Sequence, residues 1–260
     1  MTPEWSFGVG ILSTTSYPTR PAVVACSSTA TSGLNLTVAS SLNNVMQALD
    51  KAYQSTKTTP AASIHAGGSG ALAQQIIDGA ATDVFAAADR AAMDKVVAAN
   101  LIDASAVKVI AHTALVVAVR PGANVPDLAA LATTGVSVVM ADKTVPAGKY
   151  GLTLLDNLAK SYGADYVANV TANVVSYEAN VAAVLQKVSA GEADAGIVYA
   201  SDVVALGDKI QVLTIPTESA VIAEYVAAPL RNAAANAPDF VDFITSDSAK
   251  PIWQTYGFTA

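Results

Sequence analysis

The sequence has few of the residues on which most catalysis and metal binding depend. Its 260 residues include one cysteine and two histidines. A single cysteine excludes an internal disulfide and any metal site built from several thiolates. No uninterrupted apolar run approaches the roughly 20 residues that span a bilayer, so no membrane-spanning helix is expected.

Charged residues are also scarce, and the basic ones are in the minority. The chain has 14 Lys and Arg against 21 Asp and Glu, a net charge of −7. This balance argues against a nucleic-acid partner, because proteins that bind nucleic acids usually present a basic face. It does not exclude a small anionic ligand, since net charge sets the long-range field whereas local N–H groups set the potential of a site.

The one cysteine, Cys26, ends a segment that resembles a bacterial lipobox, Val23-Val24-Ala25-Cys26. In a lipobox the cysteine becomes the lipidated first residue, and residues 27–33 are small and polar, as in a flexible tether. The preceding residues make a poor signal peptide, because they contain Glu4 and only a short apolar stretch. We therefore expect residues 1–33 to be a leader and tether, either with a lipid anchor at Cys26 or as an irregular leader around an inert cysteine.

From Leu34 onward, strand patterns alternate with helix patterns, which predicts an α/β fold with mixed sheets flanked by helices. Two strands, residues 107–119 and 221–227, are placed to cross between two lobes. We expect lobe 1 to comprise residues 34–113 and 223–260, lobe 2 to comprise residues 114–222, and a ligand cleft to lie between them. The predicted strands are 34–38, 61–66, 84–87, 107–119, 136–140, 195–199, 212–215 and 221–227; helices are predicted after Ser41, from about Gly70, over Met93 and Val97, near 128–131, from Pro146, from Val181 and at the carboxyl end.

Four short segments place small or hydroxyl residues where a strand ends and a helix begins, and a fifth closes a strand with a phenol. The N-termini of helices have unpaired N–H groups and the positive end of the peptide dipole, so they bind anions without a basic side chain. Several such ends aimed at one point would surround a small oxyanion with donors, which is typical of a binding protein. The segments are Ala39–Asn43, Gly67–Ala71, Val145–Tyr150, Glu178–Val181 and Ile197–Asp202.

An enzymatic interpretation of the second segment is weaker. Residues 67–71 resemble the start of a nucleophile elbow, with Ser69 as the nucleophile. Such a hydrolase needs a histidine after the serine and the acid, but the two histidines, His65 and His112, both lie in the first half of the chain. Ser69 and Ser41 also fit a purely structural role as helix caps, and Tyr199 fits a buried core tyrosine.

The order and spacing of these segments resemble the periplasmic molybdate-binding proteins of ABC transporters, a type II periplasmic-binding-protein family. The similarity runs from Leu34 to Phe258. The segments that carry it are Ala39-Ser40-Ser41-Leu42, Gly68-Ser69-Gly70-Ala71-Leu72-Ala73-Gln74-Gln75-Ile76, Asp83-Val84-Phe85 with Ala88-Asp89 and Met93-Asp94, Val145-Pro146-Ala147-Gly148-Lys149-Tyr150, Gly191–Asp202 and Trp253–Phe258.

The chain departs from this family pattern at three places. The acidic-proline stretch before Val145 is replaced by Ala141–Thr144, the arginine after the fourth segment is Ala182, and the proline near the returning strand is missing at Tyr225-Val226. The second departure leaves the assignment of Val181 open by one residue. Ile197-Val198 supplies no extra carboxylate for an expanded metal centre, so tetrahedral binding is favoured.

The resemblance implies a two-lobe binding protein without catalytic residues, cofactor or bare metal ion. Its ligand would be molybdate, and tungstate with it, bound by Ser41, Ser69, Ala147, Val181 and Tyr199 through hydroxyl and backbone N–H groups. An ABC permease and its ATPase are the implied partners of a monomer in the periplasm or on the cell surface as a lipoprotein. The alternatives are a sulfate- or other oxyanion-binding protein, a Ser69 hydrolase, and a sensor or scaffold without transport.

Overall fold

The computed structural model describes Met1 and residues 33–260. Cys26 and the lipobox-like segment lie outside the described residues, so the expectation of a leader and anchor stays a prediction. Within the described part of the chain, no helix is both long and apolar enough to cross a membrane.

The described residues form an α/β fold, as the alternation of strand and helix patterns predicts. Nine strands make one mixed sheet, in the order β2-β1-β3-β9-β4-β7-β5-β6, with β8 paired to β4. The strands are β1 (Asn35–Ala39), β2 (Ser63–Gly67), β3 (Val84–Ala87), β4 (Lys108–Val119), β5 (Val138–Ala141), β6 (Val174–Glu178), β7 (Ala195–Tyr199), β8 (Gln211–Leu213) and β9 (Ile222–Pro229).

Nine α-helices accompany the strands in residues 33–260. They are α1 (Asn43–Lys57), α2 (Ser69–Ile77), α3 (Arg90–Ala98), α4 (Pro146–Tyr162), α5 (Tyr166–Ala172), α6 (Val181–Ala190), α7 (Ala200–Val203), α8 (Ala237–Ile244) and α9 (Lys250–Thr255). Short 3₁₀ helices lie at Ser40–Leu42, Ala104–Ala106, Ala129–Ala132 and Val204–Lys209. The helix expected near residues 128–131 is therefore a 3₁₀ turn.

Strand β4 connects the two ends of the sheet. Its first part, residues 108–114, pairs antiparallel with β9. Its second part, residues 115–119, pairs antiparallel with β7, and residues 117–119 also pair with β8. The sequence predicted an unusually long strand here, and its two parts pair with different strands. The predicted lobe boundaries themselves stay predictions.

The core follows from the apolar pattern of strands and helices. All four residues of β3 and all five of β7 are buried, as expected for strands covered on both faces. Helix α1 buries the apolar face that its sequence predicts, including Met46, Leu49 and Tyr53. The Tyr53 ring packs on Phe240 and Phe243 of α8, with centroid distances of 5.2 and 5.5 Å. This packing fixes α8, near the carboxyl end of the chain, against the first helix of the fold.

Candidate functional site

The five predicted segments converge on one small cavity, which we call the central cavity. Its volume is about 20 Å³, whereas another cavity beside it, lined by Ser201, Asp202 and Tyr256 among others, measures about 260 Å³. The central cavity is therefore much smaller than its neighbour, which favours a compact ligand over a sugar or a peptide. It is lined by Ala39, Ser40, Ser41, Gly67, Gly68, Ser69, Ala88, Val145, Pro146, Ala147, Asn180, Val181 and Tyr199.

Helix α2 presents its N-terminus to the cavity. Gly68 is its N-cap, in an extended conformation and without a side-chain cap. Ser69 is therefore the first helical residue and not the cap that the sequence suggested. Its side chain is 2% exposed, and its Oγ accepts a hydrogen bond from the Ala88 N–H at 3.1 Å. An N–H group can only donate, so the hydroxyl hydrogen of Ser69 is left for another acceptor.

Helix α4 begins beside the cavity with a proline. Val145 is its N-cap and Pro146 its first residue, where the missing N–H of proline costs no helical hydrogen bond. The first backbone donor bonded within this turn is Lys149, to the Val145 carbonyl at 3.1 Å. The N–H groups of Ala147 and Gly148 precede it and have no partner within the helix. Gly148 also allows close packing, because a Cβ there would collide with the Asp142 carbonyl.

Helix α6 provides a third N-terminus. Asn180 is its N-cap, and its Oδ1 accepts a hydrogen bond from the Ala183 N–H at 3.0 Å. Val181 is the first helical residue, is buried and lines the cavity, whereas Ala182 is exposed and lines the neighbouring one. The structure therefore places Val181, and not the next residue, at the central cavity.

Tyr199 closes the cavity from the end of β7. It is 1% exposed, and its hydroxyl has no hydrogen-bond partner among the described residues. Burial raises the pKa of the Tyr199 phenol well above its ordinary value, with smaller contributions from neighbouring groups such as Tyr225 and Asp202. The phenol therefore keeps its hydrogen and can act as a donor into the cavity.

Ser41 lies in the 3₁₀ turn between β1 and α1. The N-cap of α1 is Leu42, so the prediction that Ser41 caps this helix is wrong. The Ser41 hydroxyl instead lies 2.9 Å from the hydroxyl of Tyr225, a buried residue of β9. These two residues are 184 positions apart, and no sequence pattern that we identified indicated their contact.

The described residues that line the central cavity include hydroxyl groups but no charged side chain. Lys149, which follows the lining residues of α4, has an acidic partner, since its ammonium lies 3.5 Å from the Asp89 carboxylate. Glu178 is paired with Lys187 at 2.7 Å, and the hydrogen bonds from Lys187 and Ser176 lower the pKa of its carboxyl. The donors at the cavity are thus neutral hydroxyl and backbone N–H groups.

Neither histidine lies in the cavity lining. His65 contacts Gln75 at 3.1 Å, and His112 lies 3.8 Å from Glu224. The described residues contain no cluster of three or more His, Cys, Asp or Glu side chains that could hold a metal ion. The geometry therefore provides no general base for Ser69 and gives a serine-hydrolase mechanism no support.

Comparisons with known proteins agree with this architecture. Residues 34–259 match the family model described as bacterial extracellular solute-binding protein. The chain is a bacterial extracellular solute-binding protein. This solute-binding protein is 32% identical over 194 residues to the molybdate-binding protein ModA of Mycobacterium tuberculosis, covering 74% of this chain and 70% of the relative. It is 31% identical to ModA of Escherichia coli, covering 85% of this chain and 86% of that one.

A solved structure shares the fold. The periplasmic molybdate-binding protein of Azotobacter vinelandii superposes with a TM-score of 0.77 at 22% identity, over 87% of the solute-binding protein and 99% of the other chain. The similarity to molybdate-binding proteins that the ordered motifs predicted is thus confirmed. The central cavity is lined by all five residues that the motifs indicated as ligand-binding: Ser41, Ser69, Ala147, Val181 and Tyr199.

Proposed function

We propose that this solute-binding protein is the substrate-capturing subunit of an ABC importer and that it binds molybdate, and tungstate with it, in the central cavity. The observation that carries the proposal is a small site rich in hydrogen-bond donors. Three helix N-termini, the hydroxyls of Ser41 and Ser69 and a protonated phenol meet there, and no charged side chain is among the described residues that line it.

This set of donors suits a fully deprotonated tetrahedral anion, which offers only acceptors. Backbone N–H groups at helix N-termini stabilise negative charge without a counter-ion. A protonated phosphate would bring an O–H that finds no acceptor, and an unpaired buried donor is costly. Molybdate and sulfate carry the same charge, so the size of the cavity must distinguish between them.

The same proposal assigns the partners and the location. The family and the relatives named above support an extracytoplasmic protein that delivers its ligand to a permease and an ATPase, and that performs no catalysis itself. We propose that it acts as a monomer, without a cofactor, and that Cys26 anchors it to the membrane through a lipid. Replacing Cys26 by serine and following the protein between membrane and soluble fractions tests the anchor.

The first test is a calorimetric titration of ligand-stripped protein with molybdate, tungstate, sulfate and phosphate. We expect one-to-one binding of the first two and little heat from the others. Ser69→Ala should weaken molybdate binding by about 1–3 kcal/mol, the range for a lost hydrogen bond to a charged group. Ser105→Ala is the matched control, because its hydroxyl bonds Asp103 on an exposed turn.

The outcomes separate the alternatives. Binding of sulfate without molybdate would keep the cavity and its donors but contradict the argument from size. No measurable heat of binding with any of the four anions would contradict the proposed function. Turnover of an ester that disappears in Ser69→Ala would favour the hydrolase instead.

A further inference from the structure

The Ser41 hydroxyl has a hydrogen-bond partner, Tyr225, that is not among the residues lining the cavity. The Tyr225 hydroxyl lies 2.9 Å from the Ser41 Oγ. The Tyr225 ring is fully buried and packs edge-on against Tyr199 and Phe258, with centroid distances of 5.7 and 5.3 Å. Because these aromatic contacts hold the ring in place, the phenol oxygen occupies a fixed position relative to Ser41.

Either hydroxyl could donate in the hydrogen bond between these residues, and the chemistry of the two groups favours Tyr225 as the donor. Burial raises the pKa of the Tyr225 phenol well above its ordinary value, so the phenol keeps its hydrogen. The Ser41 hydroxyl is its partner at 2.9 Å, and the Ser201 hydroxyl, which has no partner of its own among the described residues, also lies close enough to lower the pKa of the phenol slightly. A phenol is a better donor and a poorer acceptor than an alkyl hydroxyl, and leaving a buried donor unpaired is costly. With Tyr225 as the donor, the hydrogen of Ser41 is free for the cavity.

Ser69 is held in the same way by a different donor. The Ala88 N–H donates to the Ser69 Oγ at 3.1 Å, and the direction of that bond is fixed because an N–H cannot accept. With Tyr225 as the donor to Ser41, the hydroxyls of Ser41 and Ser69 each have a lone pair occupied by another group of the protein. Each serine can then donate its hydroxyl hydrogen into the cavity. The two groups that bond the serine oxygens come from different elements, Tyr225 from β9 and Ala88 from the turn after β3.

We propose that Tyr225 is a positioning residue that fixes Ser41 as a hydrogen-bond donor and so contributes to the rejection of protonated anions. The inference rests on the proposed oxyanion function. A serine that rotates freely can either donate or accept, so it can accommodate the O–H of a hydrogen phosphate. A serine that already accepts from Tyr225 must break that bond to do so. Discrimination between fully deprotonated and protonated anions therefore depends on Tyr225, which bonds Ser41 but does not line the cavity.

The test is Tyr225→Phe, titrated with molybdate and with phosphate at neutral pH. The substitution keeps the ring and its packing and removes only the hydroxyl. We expect the affinity for molybdate to fall roughly 3- to 10-fold, which is the effect of losing a modest hydrogen bond. The ratio of the molybdate affinity to the phosphate affinity should also decrease. Tyr53→Phe is the matched control: it is another buried tyrosine, its hydroxyl donates to Asp239 at 2.9 Å, and it should leave both affinities unchanged.

A double-mutant cycle distinguishes positioning from a general structural effect. In a Ser41→Ala background, Tyr225→Phe should have no further effect on molybdate affinity, because the hydroxyl that it orients is gone. An equal loss in both backgrounds, or unchanged affinity and selectivity in Tyr225→Phe, would overturn the inference while leaving the proposed function in place. A wild-type protein that binds none of the oxyanions would overturn the proposed function and this inference with it.

Discussion

The Tyr199 hydroxyl is buried, protonated and without a partner among the described residues, so this part of the ligand-free fold loses no hydrogen bond when the hydroxyl is removed. Tyr199→Phe should leave the free energy of unfolding unchanged or slightly higher. It should weaken molybdate binding by about 1–3 kcal/mol, because a donor to a charged ligand is lost. Urea unfolding of the ligand-free protein and calorimetric titration measure the two effects separately.

Tyr166, unlike Tyr199, has a hydroxyl with a hydrogen-bond partner in the protein. Its hydroxyl donates to the Leu128 carbonyl at 2.6 Å, outside the cavity lining. Tyr166→Phe should therefore lower stability by about 0.5–1.5 kcal/mol and leave affinity unchanged. If Tyr199→Phe instead behaved like Tyr166→Phe, with lost stability and unchanged affinity, the assignment of Tyr199 as a ligand donor would be wrong.

The N-terminus of α2 approaches a neighbouring loop closely at Gly68. A Cβ added there would lie 2.7 Å from the Ala179 carbonyl oxygen and 3.6 Å from Val145 Cγ1. Gly68→Ala should therefore push α2 away from the elements that carry Val145 and Val181, and we expect affinity for molybdate to fall by about 1–3 kcal/mol, the usual cost of overpacking. Calorimetric titration measures this loss.

Gly70, two residues after Gly68, provides the control within α2. A Cβ at Gly70 meets no heavy atom within 4 Å. Gly70→Ala should keep the affinity and raise the free energy of unfolding by roughly 0.5–1 kcal/mol, because alanine is the better helix former. Equal affinities in the two variants would show that close contact at Gly68 does not matter for binding.

The helix starts that line the cavity were the most predictable part of the site. Pro146 at a first helical position and Asn180 as an N-cap follow local rules, and both helices begin where the sequence indicates. The roles of Ser41 and Ser69 as caps were predicted wrongly, because each hydroxyl is bound instead by a group distant in sequence, Tyr225 or Ala88. Such contacts depend on the order of strands in the sheet, which local patterns do not specify.

Helix α5 and strand β6, which were among the elements not predicted from the sequence, have a similar explanation. Helix α5 has seven residues and buries only Tyr166 and Val170. Strand β6 is an edge strand whose Val175 and Tyr177 are exposed. Neither has the sustained apolar period on which pattern-based prediction depends, whereas the fully buried β7 was predicted with its observed bounds.

Across the whole molecule, the cavity joins groups from both ends of one sheet. Ser41, Gly68, Ser69 and Ala88 follow β1, β2 and β3, whereas Ala147 and Val181 follow β5 and β6 and Tyr199 ends β7. Among the described strands, β9 and β4 lie between these two sets in the sheet. A ligand that accepts hydrogen bonds from both sets would hold them together, which is how a binding protein couples occupancy to its conformation.

The stability of the whole fold should depend on pH through Asp202. Its carboxylate accepts the Tyr199 N–H at 3.0 Å, and burial, only partly offset by this bond, raises the pKa of Asp202 to about 7. Between pH of about 4, where an unfolded aspartate ionises, and pH of about 7, the folded protein binds one proton more than the unfolded chain. Its free energy of unfolding therefore falls as pH rises through this window and levels off above it.

Asp202→Asn removes this dependence with little change in shape, because the amide oxygen still accepts the Tyr199 N–H. We expect the free energy of unfolding of the variant to rise by up to about 4 kcal/mol relative to wild type between pH 4 and pH 8, since the pKa of Asp202 is raised from about 4 to about 7 and one pKa unit corresponds to about 1.4 kcal/mol. Carboxyls with lowered pKa, such as Glu178 and Asp194, act in the opposite direction, at lower pH, and equally in both proteins. Urea unfolding at a series of pH values gives the difference between the two curves; parallel curves would mean that Asp202 stays ionised in the folded protein.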